Sequence, residues 1–136
     1  MKNAALVVID LQNDITKNYK EIIGTTNQAI DWAVANNMDV VYIQHNNLSA
    51  GTRTFKPDTR GAELVPELKI VSNHIFTKTK SNALTSEEFA AFIQKRNITE
   101  FFYRRCRCHS LRKIHLLQHV QSRICRSCFV RLHHKL

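Results

Sequence analysis

Residues Ala4-Ala5-Leu6-Val7-Val8-Ile9 form a continuous apolar run that stops at an acid, Asp10, and a polar turn, Gln12-Asn13-Asp14. A run this short, with three β-branched residues, reads as a strand buried on both faces, as in the middle of a parallel sheet. Such a strand needs covering layers on both sides, which restricts the chain to an α/β arrangement. Asp10 then falls at or just past the strand's carboxyl end, where open α/β sheets place their ligands. An acid there is partly desolvated and held by rigid backbone, a setting suited to proton transfer. A turn or helix-cap aspartate is the competing reading.

The following residues fit that frame. After a polar loop from Asn13 to Tyr19, residues 20–36 carry Ile22, Ile23, Ala29, Ile30, Ala33 and Val34 at helical spacing, with Thr25 or Thr26 as candidate caps. Asn36-Asn37 closes that helix, and Asp39 to Gln44 reads as a second strand. Residues 46–69 form a long loop with Gly51, Pro57, Gly61 and Pro66, of a length that compact domains reserve for functional or partly structured segments. Ile70 to Lys78 supplies a third strand, and Thr85-Ser86-Glu87-Glu88 opens a helix whose apolar face is Phe89, Ala90, Phe92 and Ile93. Thr99 to Tyr103 begins a fourth strand. Strands alternating with helices predict βαβ units and a parallel, helix-covered sheet.

The net charge of +9 is confined to one end. Residues 1–103 hold 11 Lys+Arg and 11 Asp+Glu, whereas residues 104–136 hold 9 Lys+Arg and no acid. All four cysteines and five of the seven histidines lie in that tail, which has no Gly, Pro, Ala, Asn, Asp or Glu. It therefore lacks the usual turn formers and acidic caps. The chain divides into a domain over 1–103 and a basic Cys/His-rich tail over 104–136. No apolar stretch reaches the roughly 18 to 20 residues that a membrane span needs, and Met1-Lys2-Asn3 does not begin a convincing signal peptide. These features lead us to expect a cytoplasmic protein with no membrane association.

The segment Leu6-Val7-Val8-Ile9-Asp10-Leu11-Gln12-Asn13-Asp14 resembles the opening motif of the isochorismatase-like cysteine hydrolases, which include nicotinamidases and N-carbamoylsarcosine amidases. Three further segments agree in order and spacing: Val40 to His45, Gly61-Ala62-Glu63-Leu64, and Phe76-Thr77-Lys78 followed by Ser81-Asn82-Ala83-Leu84. The resemblance implies a three-layer αβα, Rossmann-like parallel sheet, here truncated after its fourth strand. It implies hydrolysis of a small amide or related substrate without a cofactor, by an Asp, a Lys and a nucleophilic Cys. In that scheme Asp10 takes the thiol proton and Lys78, with Lys80 as the alternative, holds thiolate and acid in place. A thioester forms, backbone N–H groups stabilise the oxyanion, and water completes the hydrolysis. Gln12, His45 and Asn82 are expected at the substrate pocket. The spaced Asp-x-His-x-His pattern by which nicotinamidases bind metal is absent, so no metal is expected and His45 reads as pocket-lining or structural. Arg53, Lys56 and Arg60 read as solvated loop charge, and Trp32 and His74 as structural.

The third catalytic group should follow the fourth strand in a stretch resembling G-A-D-A-T-x-C-V. The chain instead reads Tyr103-Arg104-Arg105-Cys106-Arg107-Cys108-His109-Ser110. Back-translated with permitted codons and read one nucleotide later, the tail begins I-A-G-A-D-A-T-A-C and continues V-K-S-T-C-Y-N-M-S-K-A-G-Y-A-G-H-V-L-S-D-C-I-T-S-Y. The shifted text resembles the family's nucleophile segment, the following helix and the next strand. A frame change at about Phe102 or Tyr103 accounts for it, with the cysteine codon lying across those of Leu111 and Arg112. The polypeptide as written is then expected to be impaired or inactive. One branch of the family hydrolyses a vinyl ether using the Asp without a cysteine, so loss of the thiol does not exclude every family reaction.

As written, the tail is expected to pack poorly and to leave a strand edge open to aggregation. Leu111, Ile114, Leu116, Leu117, Val120 and Ile124 would let it form one amphipathic basic helix. A rival reading makes the chain a binding protein. Cys106-x-Cys108 and Cys125-x-x-Cys128, with His109, His115 and His119 nearby, offer ligands for tetrahedral zinc. The one-residue spacing and the lack of Gly or Pro knuckles oppose it. Nine basic residues without acids also favour nonspecific contact with nucleic-acid phosphates. The partners expected are thus a small-molecule substrate, a second copy of the chain, and nucleic acid only through the basic tail.

Overall fold

The strand β1 (Ala4–Ile9) runs through the centre of the molecule and divides its side chains between two cores. Ala4, Leu6 and Val8 enter one core and Ala5, Val7 and Ile9 the other, the two-residue alternation of a pleated strand. All six are buried, which is why the run could be continuously apolar. The computed structural model describes residues 3–16, 21–80, 83–105, 112–115, 120–121 and 131–132.

The helix α1 (Asn13–Thr16) is a single turn where the sequence suggested loop. It leads to α2 (Glu21–Ala35), β2 (Asp39–His45), β3 (Ile75–Lys78), α3 (Glu87–Arg96), β4 (Glu100–Arg105) and β5 (Arg112–His115). The sheet order is β3-β2-β1-β4-β5, and the first four strands are mutually parallel. On one face Ile22, Ile30 and Ala33 of α2 pack against Leu6, Val8, Val40 and Tyr42. On the other, Phe89 and Ile93 of α3 pack against Val7, Ile9, Val41, Ile43 and Phe101. Each fully buried large aliphatic or aromatic side chain contributes about 1.5–3 kcal/mol relative to exposure. The result is the expected αβα layering.

Several boundaries differ from the sequence reading. Thr25 and Thr26 do not cap α2, which starts earlier, at Glu21. Thr25 Oγ1 donates to the Ile22 carbonyl within the helix, and Thr26 is fully buried. The C-terminal end falls where Asn36-Asn37 indicated: Asn36 donates to the Trp32 carbonyl, and Asn37 takes a left-handed φ of 56°. Ser86 caps α3 by accepting from the Phe89 N–H, with Glu87 and Glu88 in the first turn and Lys95 and Arg96 in the last.

The third strand is shorter than Ile70 to Lys78. Only Ile75–Lys78 pairs with β2, while residues 69–72 wrap around the buried Tyr42. The Tyr42 hydroxyl donates to the Lys69 carbonyl at 2.7 Å and accepts from the Val71 N–H at 3.1 Å. Burial raises the proton affinity of this phenol above its ordinary value, and the Val71 hydrogen bond opposes that only in part. Above about pH 10 the unfolded phenol ionises while the native one keeps its proton, so stability falls as pH rises. Tyr42→Phe is expected to flatten that alkaline decline, read as urea midpoints at pH 9 to 11.

Leu111, Leu116, Leu117 and Ile124 of the candidate tail helix lie outside the described residues. Arg112–His115 adds an antiparallel strand along β4, pairing Tyr103 with Arg112 and Glu100 with His115. Val120–Gln121 and Arg131–Leu132 form a second antiparallel pair. A strand edge offers unpaired backbone groups to any nearby segment. The edge of β4 expected to stay open is thus covered along Glu100 to Tyr103. Cys106, Cys108, Cys125, Cys128, His109 and His119 lie outside the described residues.

Candidate active site

The carboxyl ends of β1, β2 and β3 place Asp10, His45 and Lys78 together. Asp10 is the first residue after β1, and its N–H donates to the Ile43 carbonyl at 3.0 Å. Its φ is 60°, a left-handed conformation that Asp tolerates better than most residues with a Cβ. The chain thereby turns off the sheet while its carboxylate stays at the strand end. Lys78 ends β3 directly opposite His45 of β2. Its backbone carbonyl accepts from the Asn46 N–H at 2.8 Å, which fixes the strand end.

The Lys78 ammonium lies 3.4 Å from Asp10 Oδ1, with side-chain exposures of only 1% and 5%. It also lies 3.3 Å from His45 Nδ1 and donates to the Lys80 carbonyl at 3.3 Å. Of the two lysine candidates, Lys78 is therefore beside the acid, while Lys80 is exposed and contributes its carbonyl. A carboxylate and an ammonium taken out of water together are strongly interdependent, because either alone would be an uncompensated buried charge. Chemically, such a pair can receive a proton from a neighbouring nucleophile and stabilise the anion left behind. None of the described residues is a cysteine.

Gln12 is completely buried and its amide is hydrogen-bonded to backbone, which makes it a brace for the site's floor. Its Nε2 donates to the His45 and Ala62 carbonyls at 2.9 and 2.6 Å, and its Oε1 accepts from the His45 N–H at 2.8 Å. Asn13 donates its side-chain amide to the Arg60 carbonyl and its N–H to the Glu63 carbonyl. The opening motif and the Gly61-to-Leu64 segment are thus laced together. Asn82 lies outside the described residues. Arg53, Lys56 and Arg60 are exposed on the long loop.

Sequence reasoning missed Phe55. It is 6% exposed, takes a φ of 56°, and sets its ring edge-to-face on His45 at 5.6 Å. Its N–H donates to Asp14 Oδ2 and its carbonyl accepts from the Asn47 N–H, both at 2.8 Å. One aromatic in a polar loop has no periodicity to reveal it. Its being the only large apolar side chain between Leu48 and Leu64 was the available signal.

Gly61 allows this loop to close. A Cβ at that position would overlap the carboxylate of Asp14, the same group that holds Phe55. Gly61→Ala is expected to cost about 1–3 kcal/mol by overpacking. The loss should be smaller when Asp14→Ala is already present, which a double-mutant cycle in urea measures.

Among the described residues no group of three or more His, Cys, Asp or Glu could hold a metal ion, and no helix is long and apolar enough to cross a membrane. A four-stranded parallel sheet between helices, with a buried Asp–Lys pair at its carboxyl ends, defines a three-layer αβα domain with a polar site at the strand ends. The sequence model of the isochorismatase domain matches residues 4–102, and the chain belongs to that family. No curated protein matches it. Among solved structures, a Burkholderia xenovorans LB400 protein provisionally described as an isochorismatase is 28% identical, with a TM-score of 0.63 over 72% of this chain and 51% of that one. The N-carbamoylsarcosine amidase of Thermoplasma acidophilum is 18% identical, with a TM-score of 0.66 over 77% and 68%. An isochorismatase-like hydrolase from Alkaliphilus metalliredigens is 19% identical, with a TM-score of 0.64 over 76% and 64%. The chain spans between about half and two thirds of the length of these relatives.

Proposed function

We propose that this chain is the sheet-forming part of a cysteine-dependent hydrolase of small amides or related substrates, whose nucleophile segment is encoded one nucleotide out of frame with residues 103–136. The observation that carries the reading is the buried Asp10–Lys78 pair at the carboxyl ends of β1 and β3, an arrangement with little stabilising purpose in an otherwise apolar interior. In this scheme Asp10 is the proton acceptor, Lys78 holds the thiolate and the acid, and Cys is supplied from the segment after β4. Backbone N–H groups of that segment would hold the oxyanion. Asn82 and His45 would border the substrate.

The test begins with the coding DNA across codons 95–115 and the intact mass of the expressed protein. A one-base difference that restores G-A-D-A-T-A-C is expected. The restored chain should hydrolyse members of a small-amide panel that includes N-carbamoylsarcosine. The 136-residue chain should be slower by about 10³-fold or more, as loss of a covalent nucleophile commonly costs. Equal rates for the two chains, or a restored chain inactive on the whole panel, would refute the scheme.

A further inference from the structure

Three strand ends converge on one ammonium. An ammonium carries donors only, so His45 Nδ1, 3.3 Å from Lys78 Nζ, meets it as an acceptor. The His45 backbone is held independently of Lys78, since Gln12 binds both its N–H and its carbonyl. The ring is held independently too, edge-to-face on Phe55. Phe55 is in turn fixed by Asp14 and Asn47. A ring fixed by its Gln12-held backbone and by Phe55 can impose an orientation on the flexible lysine.

We propose that His45 is a positioning residue for the Lys78–Asp10 pair: a neutral imidazole, protonated on Nε2, whose Nδ1 fixes one donor of Lys78 so that the ammonium stays directed at Asp10 and at the anion formed beside it. This deepens the hydrolase reading and rests on it for its catalytic consequence. Among the described residues, Lys78 from β3 faces His45 and Asp10 from β1 lies beyond it. The role differs from pocket lining in that His45 acts through Lys78.

Two measurements test it. Imidazole 15N NMR of the 136-residue chain should show His45 as a single Nε2-protonated tautomer, and Lys78→Met should abolish that preference. An Nδ1-protonated His45 in the unsubstituted chain overturns the proposal. In the frame-restored chain, His45→Ala should lower kcat by at least about tenfold with little change in KM, as misplacement of a catalytic group does. His45→Asn, whose amide oxygen can occupy the place of Nδ1, should recover a large part of the loss, and His45→Gln should not. Equal kcat for His45→Ala and the parent overturns the proposal. If the restored parent has no activity at all, the hydrolase reading falls, while the tautomer measurement still decides the geometry claimed for His45.

Discussion

Lys78→Met is expected to cost about 3–5 kcal/mol of stability, the penalty for stranding one member of a buried ion pair. Methionine fills much of the same volume, so the loss reports charge more than a cavity. Asp10, 4% exposed, would keep its carboxylate in a dry site without the ammonium 3.4 Å away. Against a total stability of about 5–15 kcal/mol for an ordinary domain, that is a large fraction. Asp10→Asn keeps a side chain that tolerates φ near 60° and should strand the ammonium instead. Combining the two removes both charges, so the double variant should lose clearly less than the sum of the single losses. Urea unfolding followed through Trp32, which stacks edge-on against Phe102 at 5.0 Å, reads all four chains. Additive losses would mean that the two groups do not interact as an ion pair.

Phe89→Ala should be comparably severe, about 3–5 kcal/mol, as for other buried aromatic truncations. Phe89 is fully buried in the second core, and its ring lies 5.8 Å from that of Phe76 in β3. The strand β3 lies at the edge of the sheet and, among the described residues, pairs only with β2. Removing Phe89 therefore loosens the strand that carries Lys78. Amide exchange should rise most at Ile75 to Lys78, with β1 protected longer, as expected when an edge element opens before the centre. Uniform acceleration across the sheet would show instead that Phe89 supports the whole core without favouring its edge.

How much of this was legible in the residues depended on periodicity. The continuous run of β1 announced a two-faced strand, and the caps Ser86 and Asn37 marked helix ends, because those signals are local. Asp10 was read from the end of the apolar run and Lys78 from the resemblance of its segment to the family, and the fold sets the two 3.4 Å apart. The end of β3 was misjudged because Ile70 and Val71 are apolar yet exposed, held by a turn around a tyrosine hydroxyl that no window of sequence contains. Gln12 shows a related limit: its burial and its bonds to the backbone of His45 and Ala62 exist only once distant segments meet. Phe55 depends on Asp14, 41 residues earlier in the chain. The tail's pairing with β4 follows from an edge that only the assembled sheet creates.

Phe101 and Phe102 lie on opposite faces of β4, one closing each core. They are also the last residues before the proposed change of frame. Among the described residues, every side chain of the two cores is encoded at or before Phe102. A change of frame at that point, as proposed above, would leave these two sets of side chains unaltered and change only what the chain carries after them.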